Sequence, residues 1–210
     1  MAGTIDVLLV FTAGIFAGGF LKHCLCSIVQ IELEESSPFV ECASGLLYVL
    51  VIMTVGWTVT GALFCICTSV LLAVGIVDQK TFEIPIGCSI LIGVLGCIHF
   101  FLDLPHWHVY LAGLFTSSSL LGAAYFFSKG KGMGGGDIKL MAAAGFLLGW
   151  ENVLLALFVG AASGAVIHIL LMRFRKKGRV LAFGPYLAFG IFTAMLYGEE
   201  ILGQHLLIFG

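Results

Sequence analysis

The hydrophobic positions form long apolar stretches separated by short polar breaks, a pattern typical of membrane-spanning helices rather than of amphipathic ones. A bilayer core about 30 Å thick takes roughly 20 apolar residues per helix. The run Ala43–Val77 is too long for one span, so Gly56–Thr58 in its middle predicts a hairpin between two helices. Pro85 suits the first turn of the next helix. The predicted helices lie near residues 5–31, 43–77 (two helices), 85–102, 109–127, 138–148, 152–172 and 185–199.

Composition agrees with this pattern and excludes other classes of protein. Of the 210 residues, 60% are hydrophobic and only 10% are charged, and the mean hydropathy is +1.11. A soluble domain is nearer half apolar and a quarter charged. A water-soluble globule, a disordered chain and a nucleic-acid-binding protein are therefore not expected. We predict an all-α, polytopic membrane protein with about eight spans, forming a single domain over residues 1–210 whose partner is the lipid bilayer.

The charges give this bundle a predicted orientation. When the N-terminus is placed outside and the connections alternate, all 10 Lys and Arg side chains fall on the inner side. The outer side contains no Lys or Arg, and its charged side chains are the acids Asp6, Asp103, Glu151, Glu199 and Glu200. Because basic residues concentrate on the cytoplasmic side of membrane proteins, we predict an N-out, C-out protein of the inner (cytoplasmic) membrane.

The seven cysteines do not form a pattern typical of metal sites. Zinc sites usually use C-x2-C pairs close to turns, and the first cytoplasmic loop, at about residues 32–41, is short and contains no such pair. We therefore predict structural cysteines and no metal. The cysteines within apolar runs are Cys24, Cys26, Cys65, Cys67, Cys88 and Cys97.

Two aspartates are the strongest candidates for chemistry. The predicted topology places Asp78 at the inner end of the third helix and Asp137 at the inner start of the sixth, at the same depth. Ionisable side chains bordering a span are costly and indicate function. Two facing carboxyl groups share a proton, which supplies the general base and general acid that hydrolysis of a peptide bond requires. The alternative is that both aspartates merely end helices at the interface.

The glycine-rich segment Gly132–Gly136 directly precedes Asp137. Glycine permits close approach of another backbone and positive φ angles, so a substrate strand could pair with this loop. Gly130, Gly132 and Gly135 also fit the spacing of the dinucleotide fingerprint G-x-G-x-x-G. That motif requires a preceding β-strand, and a membrane helix is predicted here, so nucleotide binding is not expected.

These motifs resemble those of the type IV prepilin leader peptidases. The segment Gly134–Leu140 resembles their G-x-G-D motif, and Asp78–Pro85 resembles their first aspartate motif, in which an Ile-Pro step follows the acid. Three further segments, 14–21, 38–47 and 183–190, resemble the first span, the start of the second and the start of the last.

The resemblance implies a G-x-G-D membrane aspartic endopeptidase with Asp78 and Asp137 as the catalytic pair. Such enzymes remove the short basic leader of type IV prepilins and of pilin-like proteins of type II secretion, on the cytoplasmic side. The implied substrate-binding residues are Gly134, Gly135, Gly136 and Pro85. Proteolysis by this pair requires no cofactor, whereas many members also methylate the new N-terminus with S-adenosylmethionine.

Three departures from the family pattern accompany the resemblance. Members often carry two zinc-binding C-x2-C pairs in the first inner loop, which residues 32–41 lack, so methylation is less firmly implied. Lys22 replaces an Asn of the first span, and Ile86 follows the Ile-Pro step where Asn or Asp is usual.

Two alternative functions remain at this point. Presenilin-type and signal-peptide-peptidase-type proteases share G-x-G-D, but their first aspartate lies in a Tyr-Asp pair, and Val77 precedes Asp78 here. A transporter or non-enzymatic scaffold would more often carry charges at mid-span.

The predicted helix positions also suggest roles for the two acids. The negative end of a helix dipole disfavours a carboxylate at Asp78, and the positive end favours one at Asp137. From sequence we therefore predict Asp137 as the ionised base and Asp78 as the protonated acid.

Overall fold

A computed structural model describes residues 4–28, 38–127, 134–175 and 182–209, and every regular element in these ranges is helical. The all-α prediction is confirmed for this part of the chain. A 3₁₀ turn, Leu104–His106, separates the fourth and fifth helices. The helices are α1 Thr4–Ile28, α2 Phe39–Val55, α3 Val59–Thr81, α4 Ile86–Leu102, α5 Trp107–Phe127, α6 Gly135–Leu148, α7 Trp150–Arg175 and α8 Gly184–Phe209.

Some parts of the sequence predictions lie outside the described residues. These are most of the loop 32–41, the glycines at 130 and 132, and the basic residues Lys129, Lys131, Lys176, Lys177 and Arg179.

The predicted breaks between helices are mostly found where the sequence indicated them. Gly56–Thr58 separates α2 from α3, and Pro85 is the N-cap residue of α4. The start of α6 differs, because the helix begins at Gly135 and not near Ile138, so the glycines belong to its first turn. The end of α8 also differs, since the helix continues past Glu199–Glu200 to Phe209. Glutamate is a good helix former and does not by itself end a helix.

Four helices of the described residues are long and apolar enough to cross a membrane: Ile5–Cys26, Val59–Thr81, Leu104–Phe127 and Trp150–Arg173. Two more, α2 and α4, are apolar but shorter. With 14 residues, α6 extends only about 21 Å at 1.5 Å per residue, less than the thickness of a bilayer core. The helices fit a multi-pass membrane protein, while the number of crossings and the N-out, C-out orientation stay predictions.

The chain divides into two compact units, Met1–Ala73 and Val74–Gly210, with the boundary inside α3. In the first unit, α1 packs along α2, and Gly14 lies so close to Gly45 that a methyl group on Gly14 would be 2.6 Å from the Gly45 Cα. An ion pair between Lys22 and Glu41, at 3.5 Å, also joins α1 to α2. Small residues at such contacts allow membrane helices to pack closely.

The second unit is organised around α6, which packs against α4, α5, α7 and α8. Four side chains of α6 are completely buried, namely Leu140, Met141, Ala144 and Leu147. A short helix in the middle of the unit therefore carries Asp137 at its first turn, and the surrounding helices fix its position.

The closest contact of α6 is with α5, at Gly113 and Gly145. A methyl group on Gly145 would lie 2.7 Å from the carbonyl carbon of Gly113 and 2.7 Å from the hydroxyl oxygen of Ser117. That hydroxyl donates to the Gly113 carbonyl at 2.8 Å, so it is held in place and cannot easily move aside. Only glycine at 145 allows the two helices to cross at this distance.

We predict that Gly145→Ala lowers the free energy of unfolding by about 1–3 kcal/mol, the usual cost of an overpacked core. Thermal unfolding in detergent would measure this effect. Gly122→Ala on α5 is the matched control, because a methyl group there meets no atom within 4 Å, and it should leave stability unchanged or raise it by up to about 1 kcal/mol, the preference of a helix for alanine over glycine. Equal midpoints for the two variants would contradict the packing argument.

Asp103, between α4 and the 3₁₀ turn, lies in a small polar cluster. Its Oδ2 accepts the Tyr110 hydroxyl at 2.6 Å, and its Oδ1 lies 2.8 Å from His106 Nδ1. The hydrogen bond from Tyr110, followed by that from His106, lowers the pKa of the Asp103 carboxyl below its usual 3.8. A lowered pKa means that Asp103 stabilises the fold above its ordinary pKa and loses this effect as pH falls through the lowered value.

We therefore predict that the unfolding midpoint of the wild-type protein falls below pH 4 more steeply than that of Asp103→Asn. Thermal unfolding in detergent between about pH 2.5 and 6 would measure the two slopes. Parallel slopes would show that the cluster does not stabilise the ionised carboxyl.

Candidate active site

Asp78 lies in the last turn of α3 and is buried, with 5% of its surface exposed. Its Oδ2 accepts the backbone N–H of Gly184, the first residue of α8, at 2.7 Å. Its carbonyl oxygen accepts the N–H of Phe82 at 2.9 Å. Phe82 has φ +57°, a left-handed conformation that ends helices and is uncommon for a residue other than glycine. The chain therefore turns sharply out of α3 just after this acid.

Asp137 is the third residue of α6 and is buried to a similar degree, with 7% of its surface exposed. Its Oδ2 accepts the N–H of Gly134, the N-cap residue, at 3.3 Å. The backbone N–H of Asp137 in turn donates to the Gly134 carbonyl at 3.2 Å. The acid thus helps to close the first turn of its own helix, as the third residue of a capping box does.

Both acids belong to the second unit, and the loop that follows Asp78 packs on the first turn of α6, which carries Asp137. Two buried carboxyl groups that lie close together cannot both be ionised without a large repulsion, so such a pair favours a state with one shared proton. An aspartate that merely ends a helix at an interface needs neither this burial nor a second acid beside it. The geometry therefore favours the chemical interpretation of the pair over the structural one.

The Ile84–Pro85 step lies against the start of α6. A methyl group on Gly136 would be 3.0 Å from Ile84 Cβ, so the loop after Asp78 packs directly on the turn that holds Asp137. Gly134 and Gly135 are exposed, while Gly136 and Pro85 are half-buried.

The expectation of positive φ in the glycine-rich loop is wrong for the glycines that the structure describes. Gly134 is extended, with φ −77° and ψ 147°, and Gly135 and Gly136 are helical. In the described ranges, positive φ among glycines is confined to Gly56 and Gly149. Helix α6 begins earlier than predicted, so Gly135 and Gly136 lie in its first turn. There Gly136 allows Ile84 to approach closely.

Sequence reasoning missed the contact of Gly184 with Asp78. The segment 183–190 was identified only by its resemblance to a family span, with no role in the site. The available signal was position, since the predicted topology puts residue 184 and both acids at inner helix ends. Which inner helix end contacts which acid depends on packing that no local pattern encodes.

The other candidate groups are exposed charged side chains and free cysteines. Lys80, Glu83 and Lys139 have exposed side chains. The seven cysteines are free thiols, and Cys65 and Cys67 are buried. In the ranges that the structure covers, no three His, Cys, Asp or Glu side chains group closely enough to hold a metal ion.

Comparison with known proteins identifies the family. A model of the type IV leader peptidase family matches residues 65–169, which include both Asp78 and Asp137. The chain belongs to the type IV leader peptidase family. This membership agrees with the resemblance seen in the sequence and not with the presenilin-type alternative.

Curated relatives match over most of the chain. A prepilin leader peptidase/N-methyltransferase of Aeromonas salmonicida (strain A449) is 31% identical over 193 residues, which are 86% of this chain and 65% of the relative. Proteins of the same name from Pseudomonas aeruginosa and Neisseria gonorrhoeae are 30% and 35% identical, covering 86% and 80% of this chain and 65% and 61% of their own lengths. The chain thus spans less than two thirds of the length of these relatives. No solved structure matches the chain.

Proposed function

We propose that the chain is a membrane aspartic endopeptidase that removes the short basic leader from type IV prepilins and pilin-like proteins. The observation that carries the proposal is the pair of buried acids, Asp78 and Asp137, which come from separate helices whose adjoining segments pack together at Ile84 and Gly136. The names of the relatives, prepilin leader peptidase/N-methyltransferase, support the substrate class.

The hydrogen bonds to the two acids favour different protonation states. Asp78 accepts an N–H at 2.7 Å and Asp137 accepts one at 3.3 Å. Hydrogen bonds to an ionised acceptor are shorter and stronger than those to a neutral one. We therefore assign the negative charge to Asp78 and the shared proton to Asp137, the reverse of the roles expected from the helix dipoles of α3 and α6 alone.

With these roles, each proton that an aspartate gives or takes during hydrolysis is returned by the end of the cycle. Asp78 takes a proton from water as the water oxygen attacks the scissile carbonyl carbon, and Asp137 protonates the carbonyl oxygen. The resulting diol collapses as Asp78 returns its proton to the amide nitrogen and Asp137 recovers its own from a hydroxyl. The C–N bond breaks, and both acids regain their starting states.

The substrate would bind as an extended strand beside the exposed start of α6. Gly134 already has an extended backbone, and a methyl group on Gly135 would meet no atom within 4 Å. An extended peptide can therefore approach Gly134–Gly136 closely and use main-chain hydrogen bonds. Pro85, half-buried on the adjacent loop, would form the other wall. The charge pattern supports a site on the cytoplasmic side of the inner membrane.

Methylation has weaker support in this chain. It requires S-adenosylmethionine, which carries a sulfonium charge, an ammonium group and a carboxylate. Apart from the two acids, the buried residues with polar side chains in the described ranges carry hydroxyls, namely Ser44, Thr68, Ser89, Tyr110 and Ser117. The partly buried Glu41 pairs with Lys22 in the first unit. These groups do not define a site for S-adenosylmethionine, so we assign no residue and no step to methylation.

We predict that Asp78→Ala and Asp137→Ala each abolish leader removal, because the base and the acid act as a unit. For the same reason the double variant should be hardly worse than either single one. The shift of a type IV prepilin to its mature size on a gel, with membranes containing each variant, measures the activity.

Glu83→Ala is the control for this experiment, since Glu83 is a nearby exposed acid and should leave processing unchanged. Normal processing by either aspartate variant, at wild-type amounts of inserted protein, would overturn the proposed function.

We also predict that strong chelators leave leader removal intact, because a carboxylate pair activates water without an ion. The assay compares purified protein with and without chelator, and a zinc protease in the same detergent confirms that the chelator works. Loss of activity that zinc restores, together with stoichiometric zinc in the protein, would show that a metal takes part.

A further inference from the structure

We propose that Gly184 is a positioning residue for the reaction: its backbone N–H holds the Asp78 carboxyl in place, and its lack of a side chain makes room for that carboxyl. This inference rests on the proposed role of Asp78. The contact joins residues 106 positions apart, and it makes the start of α8 a third element of the site beside the ends of α3 and α6.

The start of α8 leaves one backbone donor for Asp78. The carbonyl oxygen of Phe183 accepts the N–H groups of both Tyr186 and Leu187 at 3.1 Å. Pro185 has no N–H to give. The N–H of Gly184 is therefore the group of the first turn that lacks a partner within its own helix, and Asp78 Oδ2 accepts it at 2.7 Å.

This arrangement gives Asp78 the role of a capping residue for a helix to which it does not belong. The N-terminus of α8 carries the positive end of its dipole, which favours a carboxylate. That effect opposes the unfavourable dipole end of α3, where Asp78 itself lies. The same contact therefore orients the carboxyl and stabilises its ionised form.

The contact also excludes any side chain at position 184. A methyl group on Gly184 would lie 2.7 Å from Asp78 Oδ2, 2.8 Å from Cγ and 2.9 Å from Cβ. Both residues are buried, and the Cβ of Asp78 is fixed by its helix, so the carboxyl would have to rotate away.

Helix α8 has little freedom to relieve this clash by a shift, because α7 packs tightly against its first turns. A methyl group on Gly160 would lie 3.0 Å from the Tyr186 carbonyl oxygen, and one on Gly164 would lie 3.4 Å from the Tyr186 ring. By contrast, Gly75 on α3 has room, since a methyl group there would lie 3.9 Å from Pro185 Cα, at ordinary contact distance.

The test compares Gly184→Ala with the control Gly75→Ala, which adds the same methyl group to the same helix contact one turn before Asp78. Kinetics of prepilin cleavage are measured with purified protein in detergent. Gly184→Ala should lower kcat by about 10- to 100-fold, the cost of misplacing a reacting group by about 1 Å. KM should stay within about twofold, because Gly184 does not touch the substrate, and Gly75→Ala should change neither constant by more than about twofold.

A second variant removes the donor without adding an atom that could disturb folding. Replacing Gly184 by glycolic acid through nonsense suppression changes the amide to an ester, so the N–H is lost and no clash is introduced. It should also lower kcat, by about 10-fold or more. A wild-type kcat in the ester variant, a wild-type kcat in Gly184→Ala, or a loss that appears only in KM would each overturn the inference.

A spectroscopic readout separates this inference from the proposed function. The infrared band of the Asp78 carboxyl, isolated with ¹³C-aspartate and an Asp78→Asn reference, should shift in Gly184→Ala and in the ester variant but not in Gly75→Ala. If the wild-type protein cleaves no prepilin, the proposed function fails while the bands still test the Gly184 contact. Unshifted bands in a protein that cleaves normally would overturn the contact alone.

Discussion

The burial of two carboxyl groups at the ends of two helices is the constraint on which the rest of the second unit depends. An unpaired charge there is costly, and hydrogen-bond donors must offset the lost hydration. The protein uses backbone N–H groups of Gly184 and Gly134, at the starts of α8 and α6. Such groups themselves lack partners within their helices, so each contact satisfies an acid and a helix start together.

The need to hold two buried acids against backbone N–H groups explains why a short helix lies at the centre of the second unit. The proposed pairing of Asp137 with Asp78 requires the first turn of α6 to stay in place, and lipid supplies no hydrophobic force to press helices together. Close packing must hold α6 instead, and it does so through the contact of Gly113 with Gly145 and through four fully buried side chains. The glycines within the helices thus serve the site indirectly, by fixing the depth and direction of the helix that carries one acid.

The parts of this structure that could be predicted from sequence are those set by local pattern. Apolar length and polar breaks indicated the helices, Gly56–Thr58 the hairpin and Pro85 the start of α4, and each is found. Both acids were predicted as the site because an ionisable residue beside a span is costly, and the structure shows both of them buried. The start of α6 was misplaced because a glycine run carries no helical signal, although Asp137 can cap the turn that the run forms. The contact between Gly184 and Asp78 could not be predicted, because the two residues are 106 positions apart and meet only through the packing of α3 and α8.

That contact changes how the two acids differ. Considered on their own helices, Asp78 lies at an unfavourable dipole end and Asp137 at a favourable one, which makes Asp137 the ionised partner. Once α8 is included, each acid lies at a helix N-terminus, and the shorter hydrogen bond belongs to Asp78. In the proposed mechanism the asymmetry of the pair is therefore set by α8, which carries neither acid and begins after the segment, residues 65–169, that the family model matches. Under this proposal, two acids with similar burial acquire distinct protonation states from the unequal donors of two helix starts and not from their own positions along the chain.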